Sequence, residues 1–126
     1  MILTVGGNRM NDRMVVYQKP TCSKCRETLA LLRESGAQFD AVNYYEEPLT
    51  VERLRELIDK LGVPARDVLR RDEPLARGLK LGEGGLSDDE LIKIMVENPD
   101  LIQRPIVVRG DEAVLCRPPE KVKRLL

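Results

Sequence analysis

Histidine is absent from this 126-residue chain, and so is tryptophan. Without an imidazole, no side chain with an ordinary pKa near neutrality can act as a base. Cysteine is scarce, with Cys 3 in the composition, an odd count that does not suit a disulfide framework. A structural zinc site takes about four thiolate or imidazole ligands. These thiols would need a carboxylate or a second subunit to complete one, and no metal is expected. A chain of this length buries a core without staples, so the thiols read as reduced, in a cytoplasmic compartment. No sign of charge dominates: 21 Lys and Arg face 21 Asp and Glu. Neither nucleic acid nor anionic lipid is therefore expected as a partner, and any anion site must be built locally. Long apolar runs are missing too. "PIVV" and "AVL" fall far short of a bilayer span, and "MILTVGGNRMNDRM" lacks the basic start and apolar stretch of a secretory leader.

What is present is a globular balance, 42% apolar and 33% charged, with no repeat and no low-complexity tract. Residues 1–13 read as a loose Gly/Asn/Asp-rich extension, with Met10 and Met14 as alternative starts. Residues 14–126 then form one expected domain. "MVVYQ" reads as a buried strand. A helix follows from about Ser23 to Ser35, with Leu29, Ala30 and Leu32 on its apolar side and Gly36 as its stop. "QFDAVNYY" alternates as a second strand. Thr50 caps a helix to Leu61, with Leu54, Leu57, Ile58 and Leu61 at helical spacing. A Pro- and Gly-punctuated stretch of short helices comes next, and Ser87 with Glu90 forms a capping box before "DELIKIMVENP". "RPIVVRGDEAVLCR" reads as a hairpin turning at Gly110-Asp111, and "PPEKVKRLL" as a final helix with Pro119 in its first turn. The order is β-α-β, a helical insert over about 50–98, then β-β-α. This is α/β with a small four-stranded mixed sheet, and it points to a thioredoxin-like fold.

The chemistry concentrates in "YQKPTCSKCRETLALL". Its two thiols admit four readings: a metal clip, a redox couple, one nucleophile with a bystander, or small core residues. Cys25, inside the helix, suits burial. Cys22 falls at the strand-to-helix junction, where first-turn N–H groups are unsatisfied and the helix dipole favours an anion. Lys19, Lys24 and Arg26 are close in sequence. Such surroundings lower a thiol pKa into the range of roughly 3.5–7.5, so activation of Cys22 would be electrostatic. The same junction also suits an oxyanion. Three arginines stand in contexts that favour more than a solvated charge. Arg70 lies in "RDVLRRDEP", Arg104 immediately precedes Pro105 at a strand start, and Arg117 ends the following strand.

Together "KPTCSKCRETLALL", "LRRDEP", "IQRPIVV" and "LCRPPE" resemble the glutaredoxin-type arsenate reductase family, which shares a thioredoxin-like fold with the Spx-type regulators. The resemblance runs from about Val15 to the end of the chain. It implies Cys22 as nucleophile, Arg70, Arg104 and Arg117 as oxyanion ligands, a cis Pro105 facing the thiol, and residues 87–98 within a helical insert. Two departures stand out. Gln18-Lys19-Pro20 replaces the family's His-Asn-Pro, with Lys19 able to restore part of the positive field. Cys25 stands where serine is usual.

The activity implied is reduction of arsenate through a covalent cysteinyl-arsenate on Cys22, with phosphate as competitor and no bound cofactor. The resemblance names glutathione and glutaredoxin as the reductant. Cys25 offers a second route as a resolving thiol, through an internal disulfide reduced by a thioredoxin-like dithiol protein. Cys116 reads as a core thiol. The remaining alternatives are an Spx-type redox switch binding RNA polymerase and a glutathione-dependent thiol-disulfide reductase. A monomer is expected.

Overall fold

The computed structural model describes residues 13–126. Residues 1–12 of the expected extension lie outside the described residues. Arg13, the last residue assigned to that extension, pairs with Asp40 (Nε–Oδ2 3.0 Å).

Four strands form one sheet: β1 (Met14–Gln18), β2 (Phe39–Asn43), β3 (Ile106–Arg109) and β4 (Glu112–Leu115), in the order β2-β1-β3-β4. β1 pairs in parallel with β2, placing Val16 opposite Ala41. Antiparallel pairing joins β1 to β3 and β3 to β4, with Val16 opposite Val107 and Ile106 opposite Leu115. Parallel neighbours need a crossover, and helix α1 (Ser23–Ser35) supplies it. Gly36 ends α1 at φ 77°, a left-handed conformation that glycine adopts without strain.

The strands' two-residue period divides the core between two faces. Met14, Val16 and Val107 pack with Leu29 and Leu32 of α1 and with Val122 and Leu125 near the C-terminus. Ile106 and Val108 point the other way, toward α2 (Val51–Leu61) and α4 (Asp88–Glu97), where Leu54, Leu57, Ile58, Ile92 and Met95 are buried. Between those helices run the short α3 (Pro74–Gly78) and two 3-10 turns. Both helix starts form as the sequence predicts. Thr50 accepts from the Arg53 N–H, and Ser87 and Glu90 make a reciprocal capping box. No helix among the described residues is long and apolar enough to cross a membrane. The sheet order and its crossover define an α/β, thioredoxin-like fold.

Three local expectations change. Ala30 is exposed, and Thr28 takes the buried place instead. Its hydroxyl donates to the Lys24 carbonyl at 2.9 Å, which satisfies the polar group inside the core. The C-terminal element is a 3-10 helix over Pro119–Leu125 rather than an α-helix. The second strand stops at Asn43, before the two tyrosines. Asn43 causes the stop: its Oδ1 accepts the Tyr45 N–H (3.0 Å) and its carbonyl accepts from Glu46 and Glu47. Such an Asx turn competes with the sheet ladder, and it releases Tyr44 and Tyr45 to a different use.

Candidate active site

Cys22 occupies the N-cap of α1, with φ −84° and ψ 125°. Its N–H donates to the Lys19 carbonyl (3.0 Å), closing the Lys19-Pro20-Thr21-Cys22 turn, and its carbonyl accepts from Arg26. Its side chain makes no capping bond, so the first-turn amides remain available. Cys22 is half-exposed, whereas Cys25, one helical turn on, is fully buried.

That difference separates the two thiols chemically. For Cys22 burial acts upward. It is outweighed by the polar influence of Cys25 and then of Arg104, so the pKa lies below the ordinary thiol value. For Cys25 burial dominates and pushes the pKa up to about 12. Cys116 is likewise buried and pushed up to about 12. Only Cys22 combines access with thiolate character, the two requirements for a reactive cysteine.

The cations acting on Cys22 are not all those expected. Lys24 turns to Glu27 (3.6 Å) and Arg26 to the Pro20 carbonyl (3.4 Å). Lys19 lies with Nζ 4.5 Å from the Tyr45 ring centroid and 3.8 Å from Asp100 Oδ1. The guanidinium that lowers the Cys22 pKa is that of Arg104, from the other end of the sequence. Arg104 is only 7% exposed. Its Nη1 donates to the hydroxyls of both Tyr44 and Tyr45, at 3.3 Å each. Its Nε has no partner among the described residues. A buried, charged donor without a partner is costly.

The Arg104–Pro105 peptide is cis, as is Arg117–Pro118. Arg70 and Arg117 converge on the backbone that carries Arg104. Arg70 Nη1 donates to the Asp100 carbonyl (3.4 Å), and Arg117 Nη1 to the Arg104 carbonyl (2.9 Å). Arg117 also lines a cavity of about 220 Å³ with Leu61, Val63, Lys121 and Arg124. Arg70 Nη2 also faces Glu73 Oε2 at 4.0 Å, and neither guanidinium is among the groups that lower the Cys22 pKa. Among the described residues, no group of three or more Cys, Asp and Glu side chains could hold a metal ion.

Tyr44, Tyr45 and Asp100 were not marked by the sequence as site residues. The hydrogen bonds of the two tyrosines to Asp100, Ile102 and Arg104 close over separations of 55–60 residues. The paired tyrosines, in a chain with Tyr 3 in all, were the one available signal.

A sheet ordered β2-β1-β3-β4, a lone accessible cysteine at the first helix mouth and a cis-proline loop together describe a thioredoxin-like cysteine protein. Residues 17–125 match the ArsC family, and the chain belongs to that family. It is 42% identical to YfgD, an uncharacterized protein of Escherichia coli, over 93% of this chain and 99% of the relative. An arsenate reductase of Haemophilus influenzae is 40% identical over 90% of this chain and 98% of its own length. The solved structure of an arsenate reductase from Vibrio cholerae matches with a TM-score of 0.86 at 44% identity, covering 90% of this chain and 98% of that one.

Proposed function

We propose that the protein reduces arsenate to arsenite, with Cys22 as nucleophile and Arg104, Arg70 and Arg117 as oxyanion ligands. The observation that carries the reading is the pairing of an accessible thiol at a helix N-cap with a buried guanidinium that lowers its pKa and whose Nε lacks a partner. Arsenate docks against the first-turn amides of α1 and the free edge of Arg104, a planar fork suited to tetrahedral oxyanions. The Cys22 thiolate attacks arsenic, and a hydroxyl leaves as water after taking up a proton. The product is a cysteinyl-arsenate, with arsenic still in the +5 state. Attack by a second thiol and formation of a disulfide then pass two electrons to arsenic, releasing arsenite. Phosphate has the same shape and charge and competes for the site without being reduced. The chemistry needs a pool of reduced thiols, which a cytoplasmic setting provides.

Glutathione serves as the second thiol, and glutaredoxin clears the mixed disulfide from Cys22. The position of Cys25 one helical turn from Cys22 supports another route, in which Cys25 resolves Cys22 and a dithiol protein reduces the pair. Burial keeps Cys25 protonated at neutral pH, which favours the external thiol. Cys25→Ser separates the two, since serine retains a hydroxyl donor toward Cys22 but cannot form a disulfide. Arsenite production by this variant with glutathione and glutaredoxin is expected to stay within about threefold of the parent protein. Loss of turnover in Cys25→Ser, with thioredoxin supporting the parent, would establish the internal disulfide instead. Absence of arsenite from the parent protein with either reductant would refute arsenate reduction itself.

A further inference from the structure

We propose that Tyr45, supported by Asp100 and Lys19, is a positioning residue that fixes the Arg104 guanidinium beside Cys22. The inference rests on the reading of Cys22 and Arg104 as the reacting pair. An arginine side chain has many rotamers, and a buried one loses considerable entropy on being fixed. Two hydroxyls accept from Arg104 Nη1, and they are anchored differently. Tyr44 is buried at 2% exposure and donates to the Ile102 carbonyl (3.2 Å), so the core itself holds it. Tyr45 stands on the Asx turn after β2, only half-buried, and needs other support.

That support comes from three sides. The Tyr44 ring lies 5.2 Å from the Tyr45 ring, tilted by 43°. Lys19 Nζ covers the Tyr45 ring, a cation–π contact. The Tyr45 hydroxyl donates to Asp100 Oδ1. A phenol has one proton, so giving it to Asp100 leaves only lone pairs for Arg104. The carboxylate thereby sets the polarity of the hydroxyl. It also stays one group removed from the guanidinium, whose charge remains available to a thiolate or an anion. Lys19 completes the circuit, because it sits 3.8 Å from Asp100 and its carbonyl accepts the Cys22 N–H. The array therefore links the nucleophile's own turn to the cation that faces the nucleophile. Asp100 is held below the usual carboxylate range chiefly by the Tyr45 hydrogen bond, so it accepts throughout the neutral range.

The test is the pH profile of Cys22 alkylation by iodoacetamide in the reduced full-length protein. Tyr45→Phe keeps the ring and its stacking but removes the hydroxyl. Its profile is expected to shift to higher pH, with alkylation at neutral pH slowed by roughly threefold or more. In an Arg104→Ala background, Tyr45→Phe should add nothing, because the hydroxyl acts only through that guanidinium. A Tyr45→Phe profile superimposable on the parent's, or an equal shift with Arg104 already removed, would overturn the proposal. If Tyr45→Phe fails to fold by urea unfolding, Tyr45→Leu, which also lacks the hydroxyl, carries the same test, and an unshifted profile there overturns it. Because the readout is alkylation, failure of arsenate turnover would leave this inference standing.

Discussion

Cys22→Ser is expected to abolish arsenite production, by about 10³-fold or more in kcat, with either reductant. A serine hydroxyl at the N-cap would remain protonated at neutral pH, since the surrounding field moves a thiol into range but leaves an alcohol far outside it. Neither the arsenic–sulfur bond nor the later disulfide could form. Neither neighbouring thiol can substitute. Cys25 and Cys116 are both fully buried, and burial pushes each pKa up to about 12. The fold should be unaffected, because Cys22 is half-exposed and serine is a favourable N-cap residue. An arsenite assay on the variant, with urea unfolding as the control, checks both parts. Arsenite formation near the parental rate would remove Cys22 from the mechanism.

Arg104→Ala is expected to lower kcat/KM for arsenate by about 10²–10³-fold, the usual loss when one preorganised donor to a developing charge is removed. Three effects act together. The guanidinium whose Nε faces no partner would be gone, so the oxyanion loses its fork. The Cys22 pKa would rise, since Arg104 is one of the groups lowering it. The hydroxyls of Tyr44 and Tyr45 would lose the donor they share. Arg104→Lys retains the charge but not the planar fork, and should recover part of the thiolate effect and little of the turnover. Steady-state kinetics beside a thiol titration of both variants separates the two contributions. Equal kcat/KM in parent and Arg104→Ala would exclude Arg104 as an oxyanion ligand.

Most of the scaffold was legible because its signals are local. Thr50 opens α2, Ser87 and Glu90 open α4, and Gly110 turns the hairpin, each acting within a few residues. The reactive thiol was legible for the same reason: strand, turn and helix mouth are contiguous in "YQKPTC". What escaped is what depends on distant partners or on a competing local bond. Asn43 ends β2 through its own side chain, against an alternation that continues into the tyrosines. Thr28 replaces Ala30 in the core because its hydroxyl bonds the helix backbone. Lys24 and Arg26 are near Cys22 in sequence but engage Glu27 and the Pro20 carbonyl, so proximity along the chain misjudged the field. The effective cation arrives from Arg104, whose orientation depends on Tyr44 and Tyr45, 60 and 59 residues away.

The most direct measurement is a pH titration of Cys22 in the reduced protein, by ultraviolet thiolate absorbance and by alkylation rate, with and without arsenate. A midpoint below the ordinary cysteine value of about 8.5 is predicted, with arsenate slowing alkylation and phosphate doing the same. A midpoint at or above that value, with neither anion protecting the thiol, would contradict the account.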